Sequence, residues 1–193
     1  SAISSRSLQV TKNVEREIKL HFASKSAAHE AVKSVGATPL RSKRLQKDAL
    51  FDWPDERLRR SQCVLRIRQE NEDCTLTFKG PPESASMKVR EELESTAGNS
   101  TNLIAILERL GLEVWFRYEK YREEFTFDGV IVAIDETPVG IFVELEGEES
   151  VIHQIASSLG WNQEDYILDS YRDIFLKESN NKGSGANDMV FDG

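Results

Sequence analysis

Acidic and basic side chains recur two residues apart along this chain, separated by apolar residues. Glu15 and Glu17 precede Lys19, Glu144 and Glu146 flank Leu145, and Glu92 and Glu94 flank Leu93. Arg66 and Arg68 flank Ile67, Lys120 and Arg122 flank Tyr121, and Lys79 ends the run Thr75-Leu76-Thr77-Phe78-Lys79. Carboxylate pairs such as Glu15 with Glu17 and Glu144 with Glu146 can hold a hard divalent cation, Mg²⁺ or Mn²⁺, through oxygen ligands. Asp135, alternating with Ile134, can add another oxygen. Guanidinium forks and ammonium point charges at Arg66, Arg68, Lys79, Lys120 and Arg122 suit phosphate oxygens. Acids for a metal and bases for phosphates are the two halves of a phosphoryl-transfer site. No P-loop, H-E-x-x-H or nucleophile-elbow pattern competes with that chemistry. His21, His29 and His153 lack ligand spacing relative to one another and are read as non-ligands.

A spacing of two puts side chains on one face of a strand. The pattern predicts strands over Val14–Phe22, Thr38–Asp52, Gln62–Gln69, Cys74–Lys79, Met87–Ser95, Leu112–Phe127, Val130–Glu136 and Ile141–Gly147. Short turn sequences, Asn71-Glu72-Asp73, Gly80-Pro81-Pro82 and Asp128-Gly129, make the sheet mainly antiparallel. Helices are expected after Ser24, after Ser100 or Thr101, and after Ser150, ending at Gly36, Gly111 and Gly160. A shorter one is expected over Ser170–Lys177. Each of the first three follows a Glu-x-Glu strand, a weak sign of threefold repetition. For a single strand, an ordinary wet sheet face explains the charges as well. The helices, however, must pack on the apolar sheet face, and if the sheet closes the ionic face points inward. Unpaired buried charge is very costly, so such a lumen has to be a wet ligand tunnel. The fold class expected is α+β: an eight-stranded antiparallel closed β-barrel with a charged tunnel and surrounding helices.

The chain's 193 residues suit one domain. We divide them into a flexible N-terminal segment (1–13), the barrel domain (14–178) and a flexible Gly/Asn/Ser-rich tail (179–193), in which Met189-Val190-Phe191 can dock. With 25 basic and 33 acidic residues the net charge is -8, which disfavours nucleic acid and membrane surfaces as partners. No apolar run reaches the length of a membrane span, and the first residues do not form a secretory signal. Cys63 and Cys74 have no metal spacing and share parity with apolar neighbours, which predicts free core thiols and a cytoplasmic setting. The partner expected is a triphosphate-containing small molecule, and the chain a monomer or homodimer.

Glu15-Arg16-Glu17-Ile18-Lys19 is similar to the ExExK signature of the CYTH superfamily, the triphosphate tunnel metalloenzymes. The matching residues continue in order: Arg66-x-Arg68, Thr77-Phe78-Lys79-Gly80-Pro81, Arg90-Glu91-Glu92-Leu93-Glu94, Lys120-x-Arg122, Asp135, Glu144-Leu145-Glu146 and Ser170-Tyr171-Arg172. The resemblance spans about Val14 to Lys177. It implies metal binding by Glu15, Glu17, Glu144 and Glu146 with Asp135 nearby. It also implies substrate contacts from Lys19, Arg66, Arg68, Lys79, Lys120 and Arg122, to which Arg90 and Glu92 of the matching strand are added. Catalytic roles fall to Glu15, Glu17, Lys19, Glu144 and Glu146. The superfamily includes class IV adenylate cyclases, thiamine triphosphatases and inorganic tripolyphosphatases, and the spacing here is most similar to bacterial or archaeal class IV cyclase-like members. Metal-dependent triphosphate hydrolysis is the leading expectation. Cyclisation of ATP to cyclic AMP and pyrophosphate, and a non-catalytic polyphosphate or nucleotide-binding role, are the alternatives. Leu50, in Asp48-Ala49-Leu50-Phe51-Asp52, stands where many members have tyrosine, which puts any role of that hydroxyl in doubt.

Overall fold

In the computed structural model, which describes residues 13–83, 86–182 and 187–191, the period-two segments form eight strands. They are β1 (Asn13–Phe22), β2 (Thr38–Asp52), β3 (Val64–Glu70), β4 (Asp73–Lys79), β5 (Lys88–Ala97), β6 (Glu113–Phe127), β7 (Val130–Thr137) and β8 (Gly140–Glu146). All pair antiparallel in a closed barrel of order β1-β5-β4-β3-β2-β6-β7-β8. The helices are α1 (Lys25–Ser34), α2 (Arg57–Arg60), α3 (Ser100–Arg109), α4 (Glu149–Ser158) and α5 (Tyr171–Lys182). No helix among the described residues is long and apolar enough to cross a membrane.

The apolar parity of the strands faces outward, under the helices. Ile18, Leu20, Val132, Ile134, Val143 and Leu145 from the barrel pack with Val32 of α1 and Ile152 and Ile155 of α4, all buried. Each such side chain contributes about 1.5–3 kcal/mol on burial. This excludes the open sheet with one wet face: the apolar face is covered and the ionic face is enclosed. The antiparallel β7–β8 pairing explains Gly147, at φ +152°, where a Cβ would lie 2.9 Å from Val130 Cγ2.

Local capping corrects two expectations. Ser24 caps α1 as predicted, accepting from the Ala27 amide, but α3 is capped by Asn99, whose side chain accepts from the Asn102 amide. Helix α4 starts after Glu148, so Ser150 lies within its first turn. The four-residue α2 escaped sequence reading because its anchor is remote. The buried carboxylate of Asp52 accepts from the amides of Trp53, Leu58 and Arg59.

The C-terminal segment departs from expectation in the length of its helix and meets it in the docking of Met189. Helix α5 continues through Lys182, past the predicted end at Lys177. Further on, Met189 bridges Tyr118 in parallel, with its amide 2.9 Å from the Arg117 carbonyl and its carbonyl 2.8 Å from the Glu119 amide. Strand β7 pairs with β6 only from Tyr121 onward, which leaves an open edge there. Met189 covers it and is fully buried against Phe116, Phe142, Tyr171 and Phe175. Residues 1–12 of the predicted N-terminal segment lie outside the described residues.

A candidate active site in the barrel lumen

The lumen is a cavity of about 1880 Å³. Its lining includes Glu15, Glu17, Lys19, Arg66, Arg68, Lys79, Arg90, Glu92, Lys120, Arg122, Glu144 and Glu146. Asp135 sits behind that wall, fully buried. Tertiary structure thus brings all the sequence-predicted residues to one site and sorts them into groups.

The first group is acidic. Glu17 and Glu146 are direct partners across β1 and β8, and Glu15 is two residues from Glu17 on the same face. Opposed like charges destabilise a strand pair. Lys79 Nζ neutralises Glu15 at 2.6 Å and Glu92 at 2.9 Å. Lys88 and Lys19 reach Glu17 at 2.7 and 3.0 Å. Glu146 makes no hydrogen bond or ion pair with any of the described residues. Burial and the neighbouring Glu17 push the Glu15 carboxyl up to about 7, against the pull of Lys79. The same two causes raise Glu146.

The second group is cationic. Arg122 grips Asp135 with two hydrogen bonds, Nε to Oδ1 at 2.7 Å and Nη2 to Oδ2 at 2.6 Å, and also contacts Glu144. Lys120 Nζ and the Tyr171 hydroxyl donate to Asp135 Oδ2 at 2.8 and 2.7 Å. Both oxygens of Asp135 are therefore occupied, and the acid fixes three donors facing the lumen. Burial, then Arg122, lowers Lys120 to about 8, although Asp135 and Glu144 oppose this. Glu144 bridges the two groups, since Lys19 lies 3.4 Å from it on the other side.

Across the lumen, Asp48 takes Arg68 Nε and Nη2 at 2.9 and 3.1 Å. Arg66 donates to Thr77 Oγ1 at 3.2 Å, while its buried Nε has no hydrogen-bond partner. Arg90 differs from the others. Its guanidinium donates to the carbonyls of Gly80 and Gln62 and so ties down the β4–β5 connection.

Sequence reading missed several lumen residues. Lys88 holds Glu17, and Asp48 holds Arg68. Gln46, Arg44, Glu70 and Glu124 form a further network, with Arg44 Nε 2.8 Å from Glu70 and Gln46 Nε2 donating to Glu70 at 2.7 Å. The run Gln46-x-Asp48-x-Leu50 carried the parity signal that would have exposed Gln46 and Asp48. Leu50 faces the lumen between Arg66 and Phe116 in register. Hydroxyls reach the lumen instead from Tyr171 on α5 and Tyr118 on β6.

Among the described residues, no three His, Cys, Asp or Glu side chains form a ready ligand shell for a metal, because lysines hold Glu15 and Glu17. The donor chemistry nevertheless fits a hard divalent cation: three carboxylates lie together, one without a partner among the described residues, and two have raised pKa values. One consequence is a pH-dependent stability. A carboxyl raised in the folded state stabilises the fold below its unfolded pKa. That contribution is lost as pH rises toward the folded value, by about 1.4 kcal/mol for each tenfold difference in proton affinity between the two states. In metal-free buffer, the melting temperature of Glu15→Gln relative to wild type should therefore move in the variant's favour between pH 4.5 and 7. A gap that stays constant across that window would show that Glu15 is not strained by its neighbours.

Comparison with known proteins agrees with this geometry. The model of the CYTH domain family matches residues 13–171. MJ0240 of Methanocaldococcus jannaschii, a candidate adenylate cyclase, is 29% identical over 162 residues, 83% of this chain and 87% of that protein. The PH1819 protein of Pyrococcus horikoshii OT3 superposes with a TM-score of 0.72 at 25% identity, covering 85% of this chain and 99% of the other. HpAC1 of Hippeastrum, a candidate adenylyl cyclase described as having a dominant triphosphatase activity, has a TM-score of 0.63 at 21% identity, with 85% and 96% covered.

Proposed function

We propose, for a chain that belongs to the CYTH domain family, that the barrel lumen is the active site of a metal-dependent triphosphatase. The observation that carries this reading is the placement of the unpartnered Glu146 opposite Glu17, beside Glu15, in one lumen with Arg66, Arg68, Lys79, Lys19, Lys120 and Arg122. A lumen built only to bind an anion has no use for an uncompensated carboxylate.

The six cations line up the phosphate chain. Asp48 presents Arg68, and Asp135 presents Lys120 and Arg122, in fixed orientations, so little ordering is left for the moment of reaction. Glu15, Glu17 and Glu146 would hold a divalent cation, Mg²⁺ or Mn²⁺, which would polarise phosphoryl oxygens and offset their charge. Glu144, between the acid and cation groups, pairs with Arg122 on one side and Lys19 on the other and so links the two groups. The family resemblance includes hydrolases and cyclases alike, and HpAC1 is a barrel of this fold described with a triphosphatase activity.

The deciding experiment is product analysis with tripolyphosphate and, separately, ATP, each with Mg²⁺ or Mn²⁺. Free phosphate from tripolyphosphate without cyclic AMP from ATP is the expected result. Cyclic AMP with pyrophosphate would put cyclisation first, in line with the naming of MJ0240. No turnover of either compound would remove the enzymatic reading.

A further inference from the structure

The two ends of the lumen differ in chemistry. At the end where β2 starts and β3 finishes, the wall is ionic: Arg41, Arg44, Glu70 and Glu124 are joined in ion pairs. At the other end, where β2 finishes and β6 starts, Leu50, Val64, Trp115 and Tyr118 share the lining with the guanidinium groups of Arg59 and Arg172. A bare polyphosphate chain gains nothing from the apolar and aromatic part of that wall. Trp115 is central to it. The Arg59 guanidinium lies 4.5 Å from its ring centroid and the Arg172 guanidinium 4.7 Å. Both cations line the cavity and are about a third exposed. They are delivered by separate elements. Arg59 comes from α2, held by Asp52 through its amide and its Nε, each at about 3.0 Å. Arg172 follows Tyr171, whose hydroxyl bonds to Asp135 inside the cation group. One peptide step on α5 therefore runs from the phosphate-facing cluster to this stack.

We propose that Arg59, Trp115 and Arg172 form the subsite that selects the organic end of a triphosphate substrate, taking a planar aromatic ring such as a nucleobase. This rests on the triphosphate reading above and adds the residues that distinguish organic from inorganic substrates. Guanidinium planes stacked on an indole extend an aromatic platform outward, and a base stacks on arginine as it does on an aromatic side chain. With its phosphates on Lys120, Arg122 and Arg66, the ligand's ring leaves the lumen at this end.

The test is calorimetric titration of ATP and of tripolyphosphate in EDTA, so that no metal supports turnover, using wild type, Arg172→Met and Trp115→Leu. Arg172→Met removes a partly exposed planar cation while keeping an aliphatic stem, and thermal melts verify that both variants are folded. The expected result is an ATP dissociation constant about tenfold weaker in each variant, with that for tripolyphosphate unchanged within about twofold. Equal weakening of both ligands, or no change for ATP in Arg172→Met, overturns the subsite. Wild type that binds neither compound overturns the triphosphate reading itself, a distinct outcome.

Discussion

Glu17→Gln should lower metal-supported turnover by at least about a hundredfold while the protein still folds, since even removing groups that merely orient a metal's ligands costs 10–100-fold. Glu17 is the centre of the acid group. It faces Glu146 across the β1–β8 pair, lies two residues from Glu15, and accepts from Lys19 and Lys88. Buried, it is nonetheless held well below the usual carboxylate range, because Lys19, Lys88 and Lys79 together outweigh burial. It is thus the member of the trio shifted toward the ionised form, while Glu15 and Glu146 are both shifted the other way. Glutamine keeps the shape and one oxygen but loses the charge that the proposed hard-cation site requires. The measurement is the initial rate with tripolyphosphate across a range of Mg²⁺ concentrations. A rate that saturating Mg²⁺ restores to wild type would mean Glu17 sets affinity only. Full activity at low Mg²⁺ would sink the metal assignment.

Asp135→Ala should destabilise the fold by about 3–5 kcal/mol, because removing one partner of a buried ion pair strands the others. Asp135 is fully buried, and Arg122, Lys120 and Tyr171 spend four hydrogen bonds on it. Glu144 retains Arg122 in the variant, so the lower end of that range is expected, about 6–12 °C in melting temperature for a domain of this size. Asp135→Asn, which keeps the shape and one acceptor, should lose less. The contrast is Lys47→Ala. Lys47 pairs with Glu119 at 3.4 Å but its side chain is 59% exposed, so the loss there should be under about 1 kcal/mol. Urea unfolding of the three variants checks this order. An Asp135→Ala protein no less stable than Lys47→Ala would show that the cation group is not held by Asp135.

The sequence alone determined which strand face is ionic and, to within a few residues, where each strand runs. It did so because alternation is a local property: Glu15-x-Glu17-x-Lys19 shares a face however the strand is paired. Closure was only conditional in the pattern: amphipathic helices need the apolar face, and a sheet that closes then leaves the ionic one to a lumen, as the barrel does. Partnership was decided only by tertiary structure. Arg66, Arg68 and Arg90 read alike as phosphate cations, yet Arg68 is gripped by Asp48 and Arg90 donates to the carbonyls of Gly80 and Gln62, while the buried Nε of Arg66, 3.5 Å from Asp48 Oδ1, makes no hydrogen bond. Asp135 and Glu146 read alike as metal oxygens, yet one has three donors and the other has none among the described residues. Register across strands distant in sequence fixes these differences, and no local pattern encodes it. The docking of Met189 also depends on pairing: β7 is shorter than the fifteen-residue β6 it pairs with, and Met189 takes the edge this leaves beside Tyr118.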